Sequence, residues 1–148
     1  MRPVGTRRTP RGFTLVELLL AVTALGILMA IALPSFFEQR ARARRTDVQA
    51  ALMEDAAYMQ HYYAAHNAYM DTPAPQLPFT RTPRSGLVGY LISVSVPPAD
   101  PTSFVLTAVR AESMARDACG DFTLDNLGRR ELVAGTFAGG RDAGRCWR

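Results

Sequence analysis

The sequence predicts an α+β protein, with one long N-terminal helix whose first half spans a membrane and whose second half packs on a small antiparallel β-sheet. Three observations carry this. An uncharged apolar run occupies Leu18–Phe37. A stretch free of glycine and proline, with one apolar stripe, follows it directly. Further along, the hydrophobic period drops from that of a helix to two, the period of a strand.

The apolar run, "LLLAVTALGILMAIALPSFF", holds twenty residues without a formal charge. As an ideal helix it would span roughly 30 Å, the thickness of a bilayer's hydrocarbon core. Gly26 and Pro34 lie inside it. Both residue types are tolerated in membrane helices, where proline bends the axis rather than ending it. A chain of 148 residues has room for one modest domain and seldom buries such a run on every side. The run therefore reads as a membrane segment.

Residues 38–66, "EQRARARRTDVQAALMEDAAYMQHYYAAH", place apolar side chains at Ala41, Val48, Leu52, Ala56, Met59 and Tyr63. That is helical spacing, interrupted at Arg45. The two stretches join without a turn signal, which predicts a single helix from Phe13 to His66. Its end is expected near "HNAY", where Asn67 tolerates a left-handed backbone. Residues 71–86 hold four prolines and are expected to form a loop.

Beyond that loop, "VGYLISVSV" (88–96), "SFVLTAV" (103–109) and "DFTLD" (121–125) alternate apolar and polar residues. "DNLG" supplies turn residues before a short strand at 129–133. Three or four antiparallel strands with one apolar face make an incomplete sandwich. The helical stripe supplies the missing layer.

Charge is distributed unevenly. All 17 basic residues are arginine, and four of them (Arg2, Arg7, Arg8, Arg11) precede Phe13, where no acid occurs. The remaining 13 arginines face 13 acids, so the basic balance belongs to the N-terminus and is no nucleic-acid footprint by itself. Cys119 and Cys146 are too few for a zinc site, which usually takes four ligands. In a reducing compartment they read as free thiols, and after export as one disulfide. His61 and His66, with Glu54 and Asp55 nearby, lack the spacing of a metal site and read as solvated or packing residues. No nucleophile–base constellation, phosphate loop or metal-ligand spacing appears, so no enzyme activity, catalytic residue, metal or cofactor is expected.

The N-terminus admits a cleaved signal peptide, with a small-x-small site at Ala30-Ile31-Ala32, or a retained anchor. Neither explains Glu17, a carboxylate inside an apolar segment that costs about 2.5–3.5 kcal/mol to insert. The stretch "RGFTLVELLL" closely resembles the cleavage region of type IV prepilins. In that family a basic leader is removed after a glycine by a dedicated peptidase, and the new N-terminal residue is N-methylated. The resemblance implies cleavage between Gly12 and Phe13, methylation of Phe13, and a subunit-assembly role for Glu17. Pro34 matches the helix-bending proline common in pilins. "CGDFTLDNLGRRE" followed by "CW" further resembles PilE-type minor pilins.

The resemblance implies a pilin fold in three parts: a leader (1–12), a transmembrane and filament-core helix (13–37), and a globular head (38–148). It implies export, and with it a Cys119–Cys146 bridge whose roughly 28-residue loop is worth about 3–4 kcal/mol in the chain-entropy picture. The implied partners are other pilin subunits, the prepilin peptidase, the pilus assembly machinery and the inner membrane. The expected location is the inner membrane with the head in the periplasm, then the pilus at the cell surface. The expected function is that of a minor pilin in pilus assembly and twitching motility, with adhesion or DNA uptake as further roles. Two alternatives stand beside it: a pseudopilin of a type II secretion system and a DNA-binding pilin-like receptor. Nucleic acid as a partner rests on Arg141, Arg145 and Arg148. The interleaved Asp142 and the lack of an aromatic series beyond Trp147 weigh against it.

Overall fold

The computed structural model describes residues 12–69 and 75–147, the side chains of residues 34 and 35 excepted. The chain divides into two compact units, Met1–Glu38 and Gln39–Arg148. Helix α1 is assigned over Leu15–His66. The expected leader, apart from Gly12, lies outside the described residues, and so does the side chain of Pro34, where a bend is expected.

In the first unit, the helix exposes its apolar side chains all round, from Leu15 to Leu33. It is long and apolar enough to cross a membrane by length and composition. Thr23 donates its hydroxyl to Leu19 O at 3.0 Å and Leu20 O at 2.9 Å. Its polar group is therefore satisfied within the helix, as an apolar solvent requires.

In the second unit the helix changes character, and the stripe acquires its cover. Val48, Leu52 and Met59 are fully buried, and Ala41, Ala56 and Tyr63 pack against the same core. Asn67 ends the helix with φ +56°, its N–H donating to Tyr63 O at 2.7 Å. A left-handed residue satisfies a terminal carbonyl in this way, and asparagine adopts that backbone with little strain.

Five strands follow: β1 (Arg81–Thr82), β2 (Tyr90–Ser95), β3 (Val105–Arg110), β4 (Phe122–Asp125) and β5 (Arg130–Leu132). They form one antiparallel meander in chain order. Register sets the inner face: Ile92 opposes Ala108, which opposes Phe122, and Val94 opposes Leu106, which opposes Leu124. Each large apolar side chain so buried contributes about 1.5–3 kcal/mol. Between β4 and β5, Asp125 Oδ1 accepts from Leu127 N and Arg129 N, while Gly128 takes φ +78°. The "DNLG" turn is thus built as its residues predict.

The sheet has one strand more than the three or four expected. Strand β1 falls inside the segment read as loop over 71–86. Two residues are too short to display a period, and the adjoining prolines mask them. A one-turn 3₁₀ helix at Glu112–Met114 and a short helix α2 at Ala143–Cys146 also lack a periodic signature.

Candidate functional site

The N-terminal site is built around a helix start. Gly12, Phe13 and Thr14 precede the helix, and Phe13 is 84% exposed. Thr14 is the cap: its Oγ1 accepts from Glu17 N at 3.2 Å, and its carbonyl accepts from Leu18 N at 3.2 Å. Threonine followed three residues on by glutamate is the sequence form of a capping box. Glu17 thus sits in the first turn, where the unpaired N–H groups and the helix dipole favour a carboxylate. The Gly12–Phe13 bond stays outside the helix, so its carbonyl takes no part in the helical ladder.

The second site is the disulfide-closed end of the head. Cys119 and Cys146 are bonded, with Cα atoms 5.7 Å apart, and both are buried. Gly120 follows at φ +74°. A Cβ there would lie 2.5 Å from Thr136 Oγ1 and 2.8 Å from Phe137 N, so the "CG" pair needs its glycine for both backbone and space. The Thr136 hydroxyl accepts from Asp121 N at 2.9 Å and donates to Val133 O at 2.7 Å.

Asp142 caps α2 by accepting from Arg145 N at 2.8 Å. The buried Trp147 then packs edge-on against Phe122, centroids 5.4 Å apart, and donates its Nε1–H to Glu131 O at 3.0 Å. Arg130 lies over the Trp147 ring at 5.8 Å. Arg129, Arg130 and Arg145 are exposed and Arg141 is half-buried, whereas Arg148 lies outside the described residues.

Sequence reasoning missed a third cluster. Arg45, the interruption in the apolar stripe, is only 6% exposed. Its Nε donates to Asp117 Oδ1 at 3.1 Å and Oδ2 at 3.0 Å, and a second nitrogen also reaches Oδ1. Tyr90 O–H donates to Asp117 Oδ2 at 3.0 Å. Burial and the adjacent Asp117 charge hold the Tyr90 phenol far above its ordinary range. The interruption that Arg45 makes in the stripe is thus no break in the core, because its fork of donors meets a buried carboxylate. Close by, Gln49 Nε2 donates to Cys146 O at 2.7 Å, tying the helix to the disulfide. A charge standing at a core position of the stripe was the available signal for Arg45. Asp117 gave none.

Asp55, expected as a solvated or packing residue, is fully buried. His66 stacks on Tyr62 with centroids 4.1 Å apart and donates Nδ1–H to Tyr62 O at 2.9 Å. Among the described residues no three His, Cys, Asp or Glu side chains gather at one point.

Residues 34–123 match the family described as "Type IV minor pilin ComP, DNA uptake sequence receptor". Residues 7–33 match the prokaryotic N-terminal methylation motif. The chain is similar to the type IV major pilin protein PilA of Myxococcus xanthus, 32% identical over 85 residues, covering 57% of this chain and 38% of that protein. It is also similar to the type IV wide pilus major component PilA4 of Thermus thermophilus, 34% identical over 67 residues, covering 45% and 51%. The chain thus spans about half the length, or less, of these curated relatives. A solved type IV pilin from Shewanella oneidensis aligns at 25% identity with a TM-score of 0.45, covering 66% of this chain and 97% of that one. With more than half of its length matched by one family and its N-terminus by the methylation motif, the chain belongs to the type IV pilin family, in its ComP-like minor pilin branch.

Proposed function

We propose that the chain is a minor subunit of the type IV pilus, cleaved between Gly12 and Phe13, methylated at Phe13, and held in the inner membrane until assembly. The observation that carries this reading is the capped helix start. The Gly12–Phe13 bond lies outside the helix, and the only carboxylate of the apolar segment stands one turn beyond it. Cleavage would leave a free amine at Phe13 in an apolar setting. A buried ammonium and a buried carboxylate are each costly alone and tolerable as a pair. In this reading Glu17 of one subunit pairs with the Phe13 amine of its neighbour and fixes axial register, while the exposed apolar helices bundle as the filament core. Pro34 would bend the helix where the core gives way to the head.

Three measurements test it. Mass spectrometry of the mature protein should find an N-terminus at Phe13 bearing one methyl group. Glu17→Ala should leave membrane insertion intact and reduce incorporation into sheared pili about tenfold or more. Full incorporation of that variant would refute the pairing role. Deletion should impair surface piliation and twitching while leaving type II secretion unchanged, and the opposite pattern would indicate a pseudopilin.

A second reading, DNA capture during uptake, is favoured by the description of the matching family. Exposed Arg130 and Arg145, on β5 and at the C-terminal end, supply cations for phosphates, whereas Arg129 is paired with Asp125. In this reading, replacing Arg130 and Arg145 together by glutamine weakens duplex binding and lowers the salt slope by about 2, one unit per lost phosphate contact. A head that binds no DNA at low salt would remove the reading.

A further inference from the structure

Asp55 is a carboxylic acid in the wrong place for an ordinary helix residue. It lies on α1 between Leu52 and Met59, on the face that packs on the sheet, and is 0% exposed. Its Oδ1 accepts from Phe79 N at 2.9 Å. Its Oδ2 is buried without a hydrogen-bond partner among the described residues. The segment it holds, residues 75–80 ("PQLPFT"), carries no ionisable side chain. Leu77 and Phe79 of that segment pack on the core.

The segment leads into β1, an edge strand of the sheet, which pairs with β2 through two residues. Two further bonds, Gly89 N–H to Thr82 O at 2.7 Å and Ile92 N–H to Thr80 O at 2.9 Å, complete its attachment. The cover on the edge of β2 is therefore slight, and one of its anchors is a buried acid.

We propose that Asp55 is a proton-sensitive latch, holding residues 75–82 over the β2 edge when its carboxyl is neutral and loosening them when it ionises. The neutral acid places an O–H at the orphaned Oδ2 position and carries no buried charge. The ionised form keeps the Phe79 bond and leaves a charge in an apolar core, a cost that opening to water relieves. The charged neighbour acting on Asp55 is Glu54, which also disfavours ionisation. The flanking cations are engaged elsewhere: Arg84 sits over the Phe79 ring at 4.2 Å, and Arg81 donates to Gly86 O at 2.9 Å. The tyrosines of the same core are Tyr58, Tyr63, Tyr69 and Tyr90.

Burial raises the Asp55 carboxyl from 3.8 to about 6, partly offset by the Phe79 bond. A group raised on closure favours the closed state fully below its open value and stops favouring it as pH rises through its closed value. Between pH 5 and pH 7.5 the opening equilibrium should therefore grow about tenfold.

Hydrogen exchange of the full chain in detergent micelles, corrected for intrinsic rates, reads this directly. Protection of the Phe79, Gly89 and Ile92 amides should fall about tenfold from pH 5 to pH 7.5, while amides of β3 and β4 stay constant. Asp55→Asn should keep those three amides protected at both values. Protection that ignores pH in the wild type, or that follows pH equally in Asp55→Asn, would overturn the latch. Should the variant fail to fold, carboxyl-carbon NMR of the wild type decides. A midpoint near 6 supports the latch, and one below about 4 refutes it.

Discussion

At the scale of single residues, the head depends on one ion pair that binary patterning does not anticipate. Arg45 occupies a core position of the helical stripe, and its guanidinium is matched by Asp117, whose carboxylate also accepts from Tyr90 O–H. Breaking such a pair by truncating one partner leaves the other charge buried, a loss of about 3–5 kcal/mol. Arg45→Ala should accordingly lower the denaturation free energy of the head by that amount, read from a urea midpoint. Arg45→Met combined with Asp117→Leu should recover much of it, because paired apolar replacements remove both desolvation costs. If the double variant is as unstable as the single one, the ion pair is not the source of the loss.

At the scale of elements, helix α1 performs two tasks under two sets of rules. Its first part satisfies the Thr23 hydroxyl internally and presents apolar residues on all sides. Its second part narrows the apolar surface to a stripe and hands the remainder to solvent. The strands answer that stripe by alternation, and their register, Ile92–Ala108–Phe122 and Val94–Leu106–Leu124, stacks apolar rows beneath it. A one-residue slip would turn every row to solvent. The short edge elements, β1 and α2, are held by individual bonds: Asp55 with Phe79 at one margin, Gln49 with Cys146 and Trp147 with Glu131 at the other.

At the scale of the whole head, residues 133–145 hold no fully buried side chain of their own. Glycines at 135, 139, 140 and 144 raise the entropy lost on folding. The disulfide, with a sequence separation of 27, offsets this by restricting the unfolded chain, by about 3–4 kcal/mol in the entropic account. Cys119→Ser with Cys146→Ser should lower the unfolding midpoint by that equivalent and deprotect the Trp147 and Cys146 amides first. An unchanged midpoint would mean that Trp147 packing and the Gln49 bond suffice.

What the sequence determined by itself was whatever repeats or recurs locally. The length of α1, its end at Asn67, the alternation of β2 to β4 and the "DNLG" turn all follow from period, sterics and short-range hydrogen bonding. The "RGFTLVE" signal was legible because a capped helix start and a lone carboxylate are set by neighbours within four residues. The cysteine pair was legible once export was implied. Tertiary structure alone decided the roles of Arg45, Asp117 and Asp55. Whether a charge is solvated or buried depends on groups 72 residues distant for Arg45 and Asp117 and 24 for Asp55 and Phe79, and no local pattern encodes such a meeting. It also decided strand β1, whose two residues become a strand only because β2 offers an edge and Asp55 holds the approach.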